Sequence, residues 1–370
     1  MPLYIGVMSG TSLDSIDAAL CEISADKKPE LLSHHEHSFP EHLRASLTRL
    51  CQPGDNEIER MGRADRELGA CYAEAVTALL SKAGVSAGSV SAIGCHGQTI
   101  RHRPATAVQP ANTAFTLQIG DPNTLAMQTG ITTVSDFRRR DIAEGGQGAP
   151  LAPAFHRAVF ASDTSYRAIV NIGGMANITL LPAKGECSGF DTGPGNVLMD
   201  VWVRQQQGLE FDEGGRWAAS GKVDDAFLSG LLALPYFQLH NGPRSTGRED
   251  FDAGLLADLP THLSPQDIQA SLLEFSAQTI AAPLLRLNSH PSQLYVCGGG
   301  AYNTTLMQRL ETLLHPMLVV STEKLGIAPQ WVEAIAFAWL AYRRMEGMSG
   351  NIPSVTGAAH EALLGAIYPA

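Results

Sequence analysis

Two stretches of the chain share one pattern, in which an apolar strand-forming run breaks at a polar turn containing glycine and then resumes. The first stretch covers residues 4–23 with its turn at 9–15, and the second covers 167–181 with its turn at 173–177. Such an interruption is typical of a β-hairpin. One hairpin opens each half of the chain, so the pattern predicts a duplicated architecture, although no literal sequence repeat is present.

Segments with helical periodicity separate the predicted strands. Apolar residues recur at helical spacing over 55–83, and Gly84 ends this run. Ser264 followed by Pro265 predicts the start of a helix that reaches about residue 287, and another helix is predicted over 326–342. Further strands are predicted at 89–93 and 294–297. Strands that alternate with helices place the chain in the α/β class.

The length of the chain predicts two domains, because hydrophobic cores rarely grow beyond about 250–300 residues and this chain has 370. The Gly- and Pro-rich stretch 141–153 is the candidate junction. The predicted domains are residues 1–135, joined by the C-terminal segment 355–370, and residues 136–354.

The composition excludes several classes of protein. Asp and Glu total 37 against 26 Lys and Arg, and a net charge of −11 argues against general binding to nucleic acid or anionic membranes. No apolar stretch approaches the roughly 20 residues that cross a bilayer, and no export signal is evident. Six cysteines without paired spacing suggest neither a zinc site nor a disulfide framework. These features predict a cytoplasmic protein.

Three glycine-rich segments each follow a predicted strand, at residues 10–17, 191–196 and 298–303. Glycine lets a backbone approach a phosphate closely, and N–H groups at turns and helix starts then point at it. Thr11 and Ser12 add hydroxyl donors, while Asp14 and Asp17 can hold Mg²⁺ or its waters. Any one segment could be a tight turn imposed by sterics, but three along one chain favour a nucleotide site. The sequence lacks GxxxxGK[ST], which disfavours a P-loop fold.

These segments carry a resemblance to one family. Residues 8–17 are similar to the MSGTSxDGxD signature of anhydro-N-acetylmuramic acid kinases. Further matches follow in the family's order at 94–99, 135–138, 141–150, 171–177, 191–196, 244–249, 298–303 and 353–358. The resemblance therefore covers essentially the whole chain. Ser15 departs from the usual glycine, which would strain the turn if that position needs positive φ, and Gln330 stands where an acid is common.

The resemblance implies an actin-like fold, in which two related domains of the ribonuclease H-like kind flank a nucleotide cleft. It also implies ATP and Mg²⁺ as cofactors and a homodimer. In the implied reaction, water opens the 1,6-anhydro bridge of anhydro-N-acetylmuramic acid and the γ-phosphoryl of ATP goes to the released O6. The product, N-acetylmuramic acid 6-phosphate, is an intermediate in peptidoglycan recycling.

Site residues follow from the matched motifs. Asp191 matches the family's catalytic aspartate and is the predicted base, with a structural aspartate that caps the following turn as the alternative. The first phosphate hairpin comprises Gly10, Thr11, Ser12, Leu13, Asp14, Ser15, Ile16 and Asp17, with Asp14 as a metal ligand. The second hairpin is Gly173 and Gly174. Packing against the nucleotide is predicted for Gly298, Gly299, Gly300 and Asn303.

The sugar pocket is predicted to contain His96, Gln98 and Thr99, which follow a strand end. A structural hydrogen-bonding role is the alternative for His96. Glu333 is a further predicted sugar contact, with a solvated helix surface as its alternative. Arg138 and Arg101 are the candidates for the lactyl carboxylate.

The run His34-His35-Glu36-His37 resembles a metal-binding cluster, but residues of a strand alternate between faces. At most two of these histidines can converge, and no second cluster in the sequence completes a metal shell. The sequence therefore favours a solvated strand edge here.

Three other functions fit parts of the pattern. A conventional sugar kinase would use Asp191 to deprotonate a hydroxyl acceptor. An ATP-driven conformational machine would carry an appended peptide-binding domain, which the sequence does not suggest. A catalytically inactive sugar sensor is disfavoured by the intact Asp191 and phosphate turns.

Overall fold

The computed structural model describes residues 2–10, 13–105, 109–238, 251, 253–257 and 259–370. The strands in these ranges are β1 (Leu3–Ser9), β2 (Ile16–Ser24), β3 (Lys27–His37), β4 (Val90–Cys95), β5 (Gln98–Arg103), β6 (Phe115–Ile119), β7 (Thr133–Ser135), β8 (Arg167–Ile172), β9 (Met175–Leu181), β10 (Ser188–Pro194), β11 (Gln293–Cys297), β12 (Leu318–Ser321) and β13 (Ala366–Tyr368). The α-helices are α1 (Glu41–Leu50), α2 (Glu57–Ala83), α3 (Pro122–Thr129), α4 (Arg139–Ala143), α5 (Ala152–Phe160), α6 (Val197–Gln207), α7 (Arg216–Ser220), α8 (Asp225–Leu232), α9 (Pro265–Leu285), α10 (Thr304–Leu314), α11 (Val332–Met345) and α12 (Pro353–Thr356).

The chain divides into two compact units, Met1–Val159 with Trp331–Ala370, and Phe160–Gln330. The first unit has a sheet in the order β13-β7-β4-β1-β2-β3. Strands β1, β2 and β3 are antiparallel neighbours, whereas β4 runs parallel to β1 and β7 runs parallel to β4. Strands β5 and β6 form a separate antiparallel ribbon.

The second unit repeats this arrangement with the order β10-β9-β8-β11-β12. Strands β8, β9 and β10 are antiparallel neighbours, and β11 and β12 continue the sheet in parallel from β8. Each unit thus starts with a three-stranded antiparallel meander and extends it with two parallel strands. The predicted α/β class and the predicted duplication of an actin-like domain are confirmed.

The C-terminal part of the chain returns to the first unit earlier than the predicted boundary at residue 355. Helix α11 lies directly on the backbones of β1 and β4 at two glycines. A Cβ on Gly6 would lie 1.7 Å from the carbonyl oxygen of Ala334, and a Cβ on Gly94 would lie 2.0 Å from that of Phe337. Residues 331–354 belong to the first unit and not to the second. The direct contact between the backbones of α11 and the two strands is part of what holds them there.

The Gly- and Pro-rich stretch 141–153, predicted as the domain junction, is held inside the first unit. The buried carboxylate of Asp141 accepts hydrogen bonds from the Gly148 N–H (2.8 Å), Asn351 Nδ2 (2.8 Å) and Thr356 Oγ1 (2.7 Å). These bonds tie the stretch to the C-terminal segment. The boundary lies instead between Val159 and Phe160.

Several predicted helix ends are confirmed by their caps. Gly84 ends α2 in the left-handed conformation (φ 66°), and Ser264 starts α9 by accepting from the Asp267 N–H. The last long helix begins at Val332 and not at 326, because residues Pro329–Trp331 form a 3₁₀ turn. None of the described helices is both long and apolar enough to cross a membrane.

Candidate active site

The first unit brings its predicted phosphate and sugar residues to one edge of the sheet. Parallel strands end at the same edge, and open α/β sheets bind ligands there. Strand β1 leads into the turn at 10–15 and β4 leads into His96, whose N–H donates to the Val7 carbonyl (3.0 Å). Strand β7 ends beside β4, where the Ser135 hydroxyl donates to the Cys95 carbonyl (2.9 Å). Arg138 follows a few residues later.

Between β1 and β2, Leu13 adopts the left-handed backbone conformation. The Leu13 N–H donates to the Gly10 carbonyl (3.2 Å), and Leu13 has φ 59° with a buried side chain. Ser15 is not in the left-handed region, so the strain considered for a serine at this position does not arise. Thr11 and Ser12 lie outside the described residues.

Asp17 sits at the start of β2 within a group of carboxylates. Burial first, and then the negative charges of Glu36, Glu333 and Asp14, raise the pKa of Asp17 to about 7, against a lowering hydrogen bond from Ser15. Glu36 is its cross-strand partner on β3, and Glu333 lies in the first turn of α11. The predicted sugar contact Glu333 is thus placed beside the phosphate turn. The Asp14 side chain is 58% exposed, and its Oδ1 lies 4.0 Å from Arg44 Nη2.

The raised pKa of Asp17 predicts a pH dependence of stability. The folded state binds this proton more tightly than the unfolded state, so the wild type loses stability as pH rises from about 4 to above 7. Asparagine removes this cost. We expect the difference in unfolding free energy between Asp17→Asn and the wild type to increase by about 2 kcal/mol in favour of the variant between pH 4 and pH 8. This is less than the whole pKa shift corresponds to, because solvent screens the charges of a partly exposed cluster.

Urea unfolding at pH 4, 6 and 8 in metal- and nucleotide-free buffer measures this difference. The control is Asp26→Asn in the exposed turn between β2 and β3. A difference between Asp17→Asn and wild type that stays constant with pH would contradict the assigned pKa.

His96 is buried, and its Nε2 accepts hydrogen bonds from Arg138 Nε (3.0 Å) and Nη2 (2.9 Å). Burial, and then the Arg138 charge, hold the pKa of His96 well below its ordinary value, so the ring is neutral. With Nε2 accepting, the proton resides on Nδ1. Among the described residues Nδ1 has no hydrogen-bond partner. A buried donor of this kind needs an acceptor, which a bound sugar oxygen can supply.

Gln98 provides a second buried polar atom without a partner. Its side chain is 1% exposed, and within the described part of the chain no donor reaches its Oε1. The neighbouring Thr99 is partly exposed, and its hydroxyl accepts from Gln118 Nε2 across the β5–β6 ribbon (3.0 Å). An unpaired donor on His96 and an unpaired acceptor on Gln98 fit a polyhydroxylated ligand.

The two arginine candidates differ in position. Arg138 also donates from Nη1 to the Gly148 carbonyl (2.8 Å), so it joins His96 to the Gly-rich stretch at the carboxyl edge of the sheet. Arg101 instead forms an ion pair with Glu57 of α2 and donates to the Leu50 carbonyl at the end of α1. Only Arg138 of these two contacts a predicted sugar-pocket residue in the described structure.

In the second unit, Asp191 lies in strand β10 opposite Asn177, and not in a glycine-rich loop as predicted. The residue is buried, with 8% exposure, and its backbone carbonyl accepts from the Tyr236 hydroxyl (2.7 Å). The strand register shifts between Asp191 and Gly193. Such bulges redirect side chains and are frequent next to active sites.

The turn between β8 and β9 contacts the start of α6. The Gly195 N–H donates to the Gly174 carbonyl (2.8 Å), and the Asn196 N–H donates to the Gly173 carbonyl (2.8 Å). A Cβ on Gly195 would lie 2.4 Å from the Gly173 oxygen. Only glycine permits this approach, so the second predicted phosphate hairpin and the segment after Asp191 form one backbone cluster.

The third glycine segment, residues 298–303, packs against the carboxyl end of β8. A Cβ on Gly298, which has φ 77°, would lie 2.4 Å from Asn171 Oδ1, and one on Gly300 would lie 2.4 Å from Ile172 Cγ2. The predicted glycine segments of this unit therefore converge at the carboxyl end of β8. Their convergence is what a phosphate-binding backbone requires.

Asn171 and Asn177 are site candidates that sequence reasoning missed. They face each other across β8 and β9, and the Oδ1 atom of each is buried without a hydrogen-bond partner among the described residues. Asn171 interrupts the apolar run 168–172 within β8, and this is the signal that could have identified it.

Asn303 caps α10 by accepting from the Leu306 N–H (3.0 Å). Its role toward a nucleotide, like that of Gly299, stays a prediction. The motif at 244–249 lies outside the described residues.

Comparison with known proteins identifies close relatives along the whole chain. A sequence model of the family described as anhydro-N-acetylmuramic acid kinase matches residues 2–370. The anhydro-N-acetylmuramic acid kinase of Saccharophagus degradans is 51% identical over 372 residues, covering 99% of this chain and 98% of that protein. The protein of the same name from Shewanella pealeana is 51% identical over 371 residues, with the same coverage.

Solved structures show weaker similarity. Component A of (R)-2-hydroxyglutaryl-CoA dehydratase from Acidaminococcus fermentans has a TM-score of 0.48 at 12% identity, covering 94% of this chain and 100% of that one. A ROK family glucokinase from Streptomyces griseus, in complex with glucose and AMPPNP, has a TM-score of 0.41 at 13% identity, with coverage of 92% and 99%.

Proposed function

Because the chain belongs to the anhydro-N-acetylmuramic acid kinase family, we propose that it opens the 1,6-anhydro bridge of anhydro-N-acetylmuramic acid and phosphorylates the released O6. The products are N-acetylmuramic acid 6-phosphate and ADP, and the reaction serves peptidoglycan recycling. The observation that carries the assignment is Asp191, a buried carboxylate at a strand bulge in the unit whose glycine segments converge on β8.

Asp191 acts as the base that activates water. The carboxylate takes a proton from a water molecule whose oxygen forms a bond to the anomeric carbon, as in inverting glycoside hydrolysis. The bond between that carbon and O6 breaks, and O6 takes the γ-phosphoryl group while ADP leaves. Because O6 is released as the acceptor, no second base is needed to deprotonate a hydroxyl.

The glycine segments bind ATP. Phosphoryl transfer needs positioning and charge neutralisation more than covalent chemistry from the protein. The predicted phosphate-binding residues are 10–17 in the first unit and Gly173, Gly174 and Gly298 to Gly300 in the second. At Gly298 and Gly300 an added Cβ would lie 2.4 Å from a neighbouring atom, which leaves no room for a side chain.

Mg²⁺ fits the carboxylates of the first unit. Burial, and then the charges of Glu36, Glu333 and Asp14, raise the pKa of Asp17. A divalent cation with oxygen ligands would relieve the repulsion among these carboxylates. Asp14 and Asp17 would hold the ion or its waters, and the ion would neutralise phosphate charge. Asp14 is the predicted metal ligand with the greater exposure.

The sugar binds at His96, Gln98 and Thr99. The Nδ1 proton of His96 and Oε1 of Gln98 complement sugar acceptors and donors, and Arg138 holds the His96 ring in place. A sugar analogue that lacks the matching hydrogen-bonding group would leave these buried atoms of His96 and Gln98 unpaired. The site should therefore reject such an analogue strongly. Cytoplasmic location and homodimeric assembly are further predictions from the family resemblance.

The proposed reaction predicts that ADP release depends on an intact anhydro bridge. With ATP and Mg²⁺, we expect turnover on 1,6-anhydro-N-acetylmuramic acid and little on open-ring N-acetylmuramic acid. In ¹⁸O-water the label should enter the sugar and be absent from the phosphate, because water attacks the anomeric carbon. Coupled detection of ADP and mass spectrometry of the product measure both.

Open-ring sugar incubated in ¹⁸O-water without ATP corrects for exchange at the anomeric position. Equal turnover on the open-ring sugar would favour the conventional hydroxyl-directed kinase. Turnover on neither sugar would remove the proposed activity and leave the fold.

A further inference from the structure

Three metal-ligating side chains meet between β3 and α2 of the first unit. They are His37 at the end of β3, and Cys71 and Glu74 on α2, and one ligand atom of each lies within 4.8 Å of the others. His37 Nε2 lies 3.7 Å from Glu74 Oε2. Adjacent strand residues face opposite sides of a sheet, so His37 lies on the face opposite to Glu36, the partner of Asp17. The group is therefore separate from the carboxylates proposed for Mg²⁺.

The local geometry explains why these residues converge. Cys71 and Glu74 are three residues apart on a helix and so share one face. The sequence alone favoured a solvated edge for the histidine run, because no second cluster appeared in it. Strand β3 does lie at the edge of its sheet, but helix α2 places Cys71 and Glu74 beside His37. The His34 ring stacks on Trp331 with centroids 4.2 Å apart.

The donor set is one nitrogen, one sulfur and one oxygen. Mg²⁺ and Ca²⁺ prefer oxygen ligands alone, whereas Zn²⁺ accepts imidazole, thiolate and carboxylate in tetrahedral sites. Three protein ligands leave one position for water, as in open zinc sites. Cys71 is 4% exposed, while the His37 and Glu74 side chains are 24% and 69% exposed, so an ion can reach the site from solvent.

His35 adds a further polar atom on the same face. It is two residues from His37, with ring centroids 5.7 Å apart. Its Nε2 is buried, and within the described residues it has no hydrogen-bond partner. A buried polar atom of this kind favours an additional bonding partner, such as an ion or a ligand.

We propose that His37, Cys71 and Glu74 bind one Zn²⁺ ion, which ties the edge strand β3 to helix α2. The bound ion stabilises the folded chain, because binding to the folded state alone raises apparent stability by mass action. It also restrains an edge strand whose one strand neighbour among the described residues is β2.

Cobalt substitution tests the site directly. Untagged full-length protein is freed of metal and titrated with Co²⁺, whose thiolate complexes give a charge-transfer absorption band. We expect one Co²⁺ per chain, a band that Zn²⁺ abolishes by displacement, and a higher thermal midpoint with Zn²⁺.

Matched variants decide whether the band comes from this site. Cys71→Ser should abolish the band, and Glu74→Gln, which changes an exposed side chain, should weaken binding at least about tenfold, since even indirect partners of a metal ligand contribute that much. The controls Cys51→Ser and His34→Ala should retain wild-type binding. The proposal is overturned if the wild type shows no band, if Cys71→Ser keeps it, or if Glu74→Gln binds with unchanged affinity.

Discussion

Replacing Asp191 by asparagine is expected to lower kcat by about 10³-fold, within the range that a general base contributes, while ATP affinity stays unchanged. Asparagine preserves the size of the side chain and its ability to accept hydrogen bonds, but it cannot take a proton from water. The steady-state rate of ADP release with the anhydro sugar measures the loss. Calorimetric titration with a non-hydrolysable ATP analogue measures nucleotide binding.

The same substitution separates catalysis from a structural role. Asparagine caps turns and helices about as well as aspartate, so a purely structural Asp191 predicts near-normal turnover in the variant. Asp163→Asn, in an exposed position of the same unit, is the control and should retain full activity. Near-normal turnover of Asp191→Asn would remove Asp191 as the base. Lost turnover together with a lowered unfolding free energy would also count against the catalytic assignment.

Replacing Gly6 by alanine is expected to destabilise the protein by at least about 3 kcal/mol, at the upper end of the usual cost of overpacking. The added Cβ would lie 1.7 Å from the Ala334 oxygen and 2.7 Å from the Ala338 nitrogen. Both atoms belong to the backbone of α11, so no side-chain rotation can relieve the contact. The helix must move away from β1. This also disturbs Glu333, whose charge acts on Asp17, and Phe337, whose ring centroid lies 4.7 Å from that of His96.

Denaturant unfolding of Gly6→Ala measures this loss, and Gly62→Ala is its matched control. Gly62 lies inside α2, where an added Cβ meets no atom within 4 Å. Alanine there should stabilise the protein by about 0.5–1 kcal/mol, because glycine is a poor helix former. Equal effects of the two substitutions would show that α11 does not press on β1 as described.

Hairpins and helix caps were predicted correctly, because their sequence signals are local. The hairpins at 4–23 and 167–181 and the caps at Gly84 and Ser264 depend on residues within a few positions of one another. Element boundaries were less certain, as Asp191 shows, because a strand can continue through a glycine-rich segment when a neighbouring strand pairs with it.

The candidate site likewise has features that the sequence predicted and features that only the structure shows. Family motifs predicted Asp191, His96, Gln98 and Arg138 as site residues, and the composition alone indicated the glycine segments. The orphaned oxygens of Asn171 and Asn177 were invisible in the sequence, since an unpaired atom is defined by all of its neighbours. The proton affinity of Asp17 likewise depends on Glu36 and Glu333, which other elements bring to it.

The sequence by itself determined the α/β class, the duplication and the family, because periodicity, capping and motifs each involve residues close together in the chain. It also supplied the candidate residues for phosphate and sugar, which stay predictions. Only the tertiary structure shows that α11 belongs to the first unit and that Gly6 and Gly94 must be glycine because α11 packs on them. It also shows that the glycine segments of the second unit converge at β8 and that His37 lies beside Cys71 and Glu74. These features depend on distances between residues far apart in the chain. Such distances are set by packing of whole elements, which no local pattern encodes.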